Sequence, residues 1–189
     1  MLFFISLILT IFLHELGHLI VAKLVKCKVE VFSIGFGKEL FSFKYKGTKY
    51  RLALFPLGGY NKLKDELNYS KSKYAFTNLR YRDKMFIISA GCATNVIIGL
   101  IAYYVGLNLQ IYNLYYFGWL SLALGITNFL PIPALDGSYS ILIWLEKLLG
   151  KKKGYDLMGK ICKWGFIILM ILNIACIPLL IKLYIQGAL

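Results

Sequence analysis

The first 22 residues form an apolar run that carries His14, Glu15 and His18 in its second half. A helix of this length can cross a bilayer, because it rises about 1.5 Å per residue and the hydrocarbon core is about 30 Å thick. Ionisable side chains at that depth cost about 2.5 kcal/mol or more each unless they face a cavity or a partner. Other parts of the chain must therefore approach this helix, which constrains the whole fold.

The spacing of the three ionisable residues indicates a metal site. His14 and His18 are four residues apart, so on a helix they share one face, where two imidazoles can hold one metal ion. Glu15 is placed to act as a base, because zinc lowers the pKa of a bound water toward about 7 and a neighbouring carboxylate can take its proton. The alternative is a chance H-E-x-x-H pattern. The chain has only these two histidines, which favours the metal site.

Composition places the chain among membrane proteins. Of its 189 residues, 59% are hydrophobic and 16% are charged, which is more apolar surface than a soluble core could use. We expect one mainly α-helical membrane domain over residues 1–189, with four transmembrane helices and a small membrane-associated β-hairpin or sheet. The predicted segments are helix one at about 1–22, the hairpin at about 29–60, helix two at about 85–107, a broken helix three at about 114–135 that continues to 149, and helix four at about 157–184.

The first helix is expected to be retained, because it lacks the basic amino-terminal region and the small-residue cleavage site of a signal peptide. The four cysteines show no C-x-x-C spacing. We interpret them as small core residues, with a disulfide framework as the less favoured alternative.

Lysine and arginine are unevenly distributed, which explains the net charge of +13. Fifteen lie in residues 23–84, six lie in residues 147–163, and the last is Lys182. Four spans put both basic stretches on one side, and the positive-inside rule assigns that side to the cytoplasm. Both termini are then extracytoplasmic. We expect no nucleic-acid partner, although the lysines can contact anionic lipid headgroups.

The hairpin prediction rests on alternation of apolar and polar residues on both sides of a K-G-T-K turn at residues 46–49. Residues 31–37 predict a further short strand. Such a sheet could be structural only, or its edge could receive an extended substrate as an added strand. Residues 61–84 are polar and lysine-rich, so we expect a solvated connector there, either partly helical or lying on the lipid headgroups.

The third apolar run ends in N-F-L-P-I-P-A-L-D-G, residues 128–137. Its two prolines prevent a regular helix, and irregular backbone at membrane depth is tolerated only where protein or a water-filled cavity surrounds it. Asp136 is therefore the candidate third metal ligand, since a catalytic zinc needs three protein ligands. Asn128 could stabilise an oxyanion or cap a helix end. Asn95, in the second span, could form an interhelical hydrogen bond or face a substrate.

Six segments occur in an order typical of one family: H-E-L-G-H-L-I-V-A-K, V-E-V-F-S-I-G-F-G-K-E-L, P-L-G-G-Y, A-F-T-N, S-A-G-C-A-T-N and N-F-L-P-I-P-A-L-D-G. Over most of residues 11–140 the chain resembles the site-2 protease family of intramembrane zinc metalloproteases, and within it the bacterial regulator-of-sigma-E protease branch. The resemblance implies zinc held by His14, His18 and Asp136. It also implies Glu15 as general base, Asn128 beside the scissile carbonyl, and a sheet that guides an unwound substrate.

Three positions depart from the pattern of that branch. It usually carries one or two PDZ domains between its second and third spans, whereas this chain has only residues 108–113 there. Cys92 stands where proline is common, and Ser138 stands where a second glycine is common. None of these removes a ligand. The missing insertion leads us to expect a different or broader choice of substrate.

These observations predict a zinc-dependent intramembrane endopeptidase that cleaves membrane-anchored proteins within or near their transmembrane segment. The expected partners are a single-pass membrane protein substrate and the lipid bilayer. The expected location is a bacterial inner membrane, with the active site toward the cytoplasm. The alternative is a non-catalytic zinc-binding or metal-transport protein of the same fold.

Overall fold

The computed structural model describes residues 2–66, 72–133 and 135–185. Helices dominate it, and one small sheet lies between the first two. The elements are α1 (Leu2–Leu24), β1 (Val29–Tyr45), β2 (Thr48–Leu63), a 3-10 turn (Phe76–Asn78), α2 (Tyr81–Asn108), α3 (Tyr112–Asn128), α4 (Ser138–Leu149) and α5 (Lys151–Ile185).

Two helices in the described part of the chain are long and apolar enough to cross a membrane, namely residues 3–24 and 81–108. They coincide with the first two predicted spans. The third predicted span is divided into α3 and α4 by irregular backbone at residues 129–133, where the two prolines lie, and at residues 135–137. The gap that the predicted segments leave between residues 149 and 157 is shorter in the structure. Gly150 alone breaks the helix, with a φ of 79°, and α5 begins at the next residue.

Glycines allow α2 and α3 to pack closely. A Cβ atom added to Gly99 would lie 3.0 Å from the carbonyl oxygen of Gly118, and one added to Gly118 would lie 2.8 Å from the carbonyl oxygen of Gly99. Small residues at such crossings let helix backbones approach, which is how membrane helices gain packing energy. Only residues 109–111 separate these two helices.

The sheet is an antiparallel pair of strands in which both strands are bent. The turn lies at Lys46 and Gly47, which have positive φ values of 46° and 80°, inside the predicted K-G-T-K segment. Gly35 and Gly37 also have positive φ, and they bend β1. As a result residues 31–34 have partners both at 49–52 and at 59–62. The short strand expected at residues 31–37 is therefore part of β1.

One side of the sheet packs into the core, and the rest is exposed. Val29, Phe32 and Ile34 are buried in a core cluster that also contains residues of α1 and α2. The exposed apolar side chains of the sheet are Phe36, Leu40, Phe41, Phe43, Leu52, Leu54 and Phe55. Exposed aromatic and aliphatic side chains in this number indicate an apolar environment around the sheet, which agrees with a membrane-associated position.

The prediction of a solvated connector at residues 61–84 is wrong for residues 75–77 and for Lys84, while the partial helix is present as the 3-10 turn and the start of α2. Ala75, Phe76 and Thr77 are buried, and Lys84 lies inside α2 with only 2% of its surface exposed. The Lys84 ammonium donates to Oε2 of Glu146 on α4 over 2.7 Å. It also lies 5.2 Å from the ring centroid of Tyr155 on α5. Polarity along the chain misled the prediction, because a lysine with a buried acidic partner looks the same in sequence as a solvated one.

The cysteines of the described side chains are free, namely Cys27, Cys92 and Cys162. Cys27 and Cys92 are buried, as expected for small core residues. Burial raises the pKa of the Cys27 thiol to about 12. The side chain of Cys176 lies outside the described residues.

The buried ion pair between α2 and α4 leads to a stability prediction. Replacing Lys84→Met should destabilise the protein by about 2–3 kcal/mol, because Glu146, whose side chain is only 17% exposed, is left without its partner. Replacing both residues, Lys84→Met with Glu146→Leu, should recover most of that loss. Thermal and denaturant unfolding in detergent would measure both effects.

Arg80→Met provides the matched control for this prediction. Arg80 forms an ion pair with Asp83 over 3.0 Å, but its side chain is 87% exposed. Asp83 lies in the first turn of α2, where the helix N-terminus stabilises its charge without Arg80. Its loss should change stability by less than about 1 kcal/mol. Equal effects of Lys84→Met and Arg80→Met would contradict a special role for the buried pair.

Candidate metal centre

The Nε2 atoms of the two histidines of α1 lie close together. His14 and His18 are buried, and their Nε2 atoms are 3.2 Å apart. The spacing of four residues places them on successive turns of the helix, as the sequence predicts. Little of either ring is exposed, so both need partners within the protein.

Asp136 reaches the same point from the irregular segment between α3 and α4. Its Oδ2 atom lies 2.7 Å from Nε2 of His14 and 3.2 Å from Nε2 of His18. The segment is folded back on α3, since the Gly137 amide donates to the carbonyl of Asn128 over 2.8 Å. A Cβ atom on Gly137 would lie 2.3 Å from the carbonyl oxygens of Phe129 and Leu130. Glycine at this position therefore allows Asp136 to approach the histidines.

These three side chains form a group that could hold one metal ion. Their ligand atoms all lie within 4.8 Å of one another. Zinc bonds of about 2.0–2.1 Å in a tetrahedron place ligand atoms roughly 3.4 Å apart, so only small shifts are needed. Two imidazoles and one carboxylate are also a ligand set that zinc accepts. The structure thus brings the three predicted ligands together, and the donor set fits zinc.

The other ring nitrogens have partners that favour metal binding. Nδ1 of His18 lies 2.7 Å from the carbonyl oxygen of Ile87 on α2, so it must carry the proton, and Nε2 keeps its lone pair for a metal. Nδ1 of His14 lies 3.2 Å from the side-chain amide of Asn95, also on α2. When Oδ1 of that amide faces the ring, it accepts a hydrogen bond from Nδ1–H. The lone pair of Nε2 is then free to bind a metal.

The environment of Asn95 supports this orientation. Asn95 is fully buried, and its Oδ1 atom has no partner among the described residues when Nδ2 faces His14. The sequence left an interhelical hydrogen bond and a substrate-facing position open. The structure has the interhelical bond, and it goes to a candidate ligand.

Glu15 lines a cavity of about 420 Å³ together with His18 and Asp136. Its carboxylate accepts a hydrogen bond of 2.8 Å from Nδ2 of Asn61 on β2. A Cβ atom added to Gly59 would lie 2.7 Å from Cγ of Glu15, so the strand passes directly against this side chain. The candidate base therefore lies between α1 and β2 at the edge of the cavity.

Helix α2 passes close to the candidate ligands at Gly91 and Cys92. A Cβ atom on Gly91 would lie 2.3 Å from Nε2 of His18 and 2.8 Å from Nε2 of His14. Sγ of Cys92 lies 3.7 Å from Oδ2 of Asp136. The sequence singled out Gly91 only as a helix-packing residue. The spacing of small residues gives no information about what they pack against.

Asn128 is not among the residues that line the cavity. It is the last residue of α3, and its carbonyl accepts the Gly137 amide. Its backbone thus has a structural role in the broken segment. An oxyanion-stabilising role for its side chain stays a prediction.

The far side of the cavity holds a second acidic residue. Glu66 lines it and accepts a hydrogen bond from the hydroxyl of Tyr139 on α4. Burial raises the pKa of the Glu66 carboxyl above its usual range. Sequence reasoning missed this pair, because Glu66 stands in a polar stretch and has no motif around it.

Comparison with known proteins identifies similar chains. The family model described as "Peptidase family M50" matches residues 2–114 and 110–172. "Putative zinc metalloprotease Cj1068" of Campylobacter jejuni is 44% identical over 111 residues, a match that covers 55% of this chain and 30% of the relative. "Putative zinc metalloprotease" of Helicobacter pylori strain J99 is 44% identical over 101 residues, covering 50% of this chain and 29% of the relative.

"Regulator of sigma-E protease RseP" of Salmonella typhimurium is 41% identical over 109 residues, covering 54% of this chain and 24% of the relative. Each of these matches therefore spans less than a third of the relative's own length.

The contact at Gly91 leads to a prediction about metal binding. Replacing Gly91→Ala should abolish stoichiometric zinc binding, because the new methyl group would occupy the space of the two histidine Nε2 atoms. Metal analysis of the purified protein would measure zinc per chain. The control is Gly159→Ala on α5, where an added Cβ has nothing within 4 Å and zinc should be retained. Full zinc content in Gly91→Ala would contradict the arrangement of the site.

The contact at Asn95 leads to a second prediction. Replacing Asn95→Leu should weaken zinc affinity by about 10–100-fold, since partners of ligating histidines typically have effects of that size. Competition with a chromogenic chelator would measure the affinity. Replacing Asn108→Leu at the exposed end of the same helix should leave the affinity unchanged. An unaltered affinity in Asn95→Leu would show that the amide does not orient His14.

Proposed function

This chain belongs to peptidase family M50, the site-2 protease family of membrane proteins, and we propose that it is a zinc-dependent intramembrane endopeptidase. The observation that carries the proposal is the convergence of His14, His18 and Asp136 at a cavity that Glu15 also lines. Three ligands and a carboxylate base are the minimum set for hydrolysis of a peptide bond by an activated water.

The chemistry is divided between the metal and the side chains of the chain. Zinc held by the three ligands would supply a Lewis acid for the scissile carbonyl and would acidify a water molecule. Glu15 is the general base, and its carboxylate takes a proton from the attacking water. The same oxygen then delivers that proton to the leaving amine nitrogen as the C–N bond breaks. Asn128 is proposed to donate to the oxyanion.

The proposed substrate is a single-pass membrane protein cleaved within or near its transmembrane segment. A transmembrane helix has its carbonyl groups engaged in its own hydrogen bonds, so it must unwind before attack. The position of β2 against Glu15 supports an extended substrate lying along the sheet. Only three residues connect α2 to α3, so no domain is inserted there that could exclude bulky substrates. This supports a broader range of substrates.

We further propose four membrane spans, with both termini extracytoplasmic and the lysine-rich segments in the cytoplasm. The first two spans correspond to α1 and α2. The third would combine α3 with α4, and the fourth would be α5. The distribution of lysine and arginine supports this orientation, and it supports a bacterial inner membrane whose anionic headgroups contact the lysines.

The proposal predicts the behaviour of Glu15→Gln. This variant should lose cleavage of a tagged membrane substrate by about 10²–10⁴-fold, because an amide cannot accept the proton, while zinc per chain stays the same. Co-expression with immunoblotting would measure cleavage, and metal analysis would measure zinc. Asp156→Asn, an exposed carboxylate on α5, is the matched control and should cleave normally.

Two outcomes would contradict the proposal. Retained cleavage in Glu15→Gln would remove Glu15 from the mechanism. The second outcome is that the wild type cleaves no substrate but transports zinc into reconstituted vesicles. That result would favour the alternative of a metal-transport or zinc-binding protein of the same fold.

A further inference from the structure

We propose that Asn61 is a positioning residue that holds the carboxylate of Glu15 in place for proton transfer. This inference rests on the proposed function, since it assigns a role to Glu15 as base. The H-E-x-x-H pattern gives no indication of it. Asn61 is 46 residues away along the chain and lies on a different element.

Asn61 contacts Glu15 at two points. Its Nδ2 atom donates 2.8 Å to the side-chain Oε2 of Glu15 and 2.8 Å to the backbone carbonyl oxygen of the same residue. One amide group thus links the carboxylate to the backbone of its own helix. Such a bridge fixes the side-chain torsions of Glu15, because both ends of the side chain are tied to the same nitrogen.

The orientation of the Asn61 amide follows from its partners. Both atoms of Glu15 that face it are oxygens, so the amide nitrogen must point toward them. The Oδ1 atom is buried and has no hydrogen-bond partner among the described residues. A buried acceptor without a partner costs free energy. The two hydrogen bonds that Nδ2 donates to Glu15 must therefore outweigh the cost of leaving Oδ1 unpaired.

The strand that carries Asn61 is itself held against α1. Asn61 pairs with Phe32, and Gly59 pairs with Ile34, both on β1. Phe32 and Ile34 are buried in the core. Gly59 stands two residues before Asn61, and its lack of a side chain lets the strand contact Cγ of Glu15. The sheet therefore fixes the position from which Asn61 donates.

The consequence concerns the rate of the chemical step. A carboxylate at the edge of a cavity can rotate away from the proton that it must take, and a misplacement of about 1 Å can cost about 10²-fold in rate. Asn61 restricts that rotation through its two hydrogen bonds to Glu15. Since β2 is also the strand proposed to align the substrate, one element sets the position of both the base and the substrate.

The test uses the full-length protein in detergent and a cleavable membrane substrate. Asn61→Leu has nearly the same volume but no donor, so it should lower kcat by about 10–100-fold while KM and zinc per chain change less than about two-fold. Asn61→Gln keeps the donor and should recover part of the loss. Asn108→Leu removes an amide at the exposed end of α2 and should have no effect. Loss of zinc or a rise in KM alone would overturn the proposal.

A double-mutant comparison separates positioning from a general structural role. In a Glu15→Asp background the carboxylate is one methylene shorter and cannot make both contacts, so Asn61→Leu should cost much less there than in the wild type. Equal losses in the two backgrounds would overturn the proposal. Cleavage by the wild type that depends on Glu15 tests the proposed function separately.

An infrared measurement tests the contact without relying on activity. The difference spectrum between wild type and Glu15→Gln isolates the carboxylate bands of Glu15. The same difference measured in the Asn61→Leu background should show shifted bands, because a hydrogen bond to the carboxylate is lost. Unshifted bands would overturn the proposal even if the wild type cleaved no substrate.

Discussion

The cost of burying ionisable side chains in an apolar helix determines the arrangement of this protein. His14, Glu15 and His18 lie in α1, and each has a partner from another element. The partners come from α2, from β2 and from the segment between α3 and α4. Because an unpaired polar group costs several kcal/mol in hydrocarbon, these elements cannot separate without a large loss of free energy. The contacts that provide hydrogen-bond partners for the polar side chains of α1 also form the candidate metal centre.

The parts of the fold that follow from local pattern could be predicted from the sequence. Apolar runs located α1 and α2, and the two prolines located the break between α3 and α4. The approach of Asp136 to His14 and His18 followed from the ligand number of zinc and from the cost of a carboxylate at membrane depth. Each of these rests on composition, on spacing, or on a physical requirement that only one residue could meet.

The contacts that the sequence did not reveal depend on which surfaces meet. Asn61 on β2 and Glu66 before α2 stand in polar stretches, and nothing local distinguishes them from solvated residues. Lys84 was expected in a solvated connector, yet it is buried against Glu146. Gly91 was recognised as a small residue for helix packing, although what it makes room for is a pair of histidines. A sequence pattern predicts which face of a helix or strand is buried, but it does not predict which other element packs against that face.

The ion pair between Lys84 and Glu146 limits how the protein can open. It joins α2 to α4, the helix that directly follows Asp136. Sliding α4 away from α2 would separate the two charges and break the 2.7 Å hydrogen bond between them, which makes that displacement unfavourable. Helix α4 is therefore tied to α2 through Glu146 and to α1 through Asp136, which lies just before its first residue. These two attachment points are ten residues apart, so the position of α4 is coupled to the geometry of the candidate metal centre.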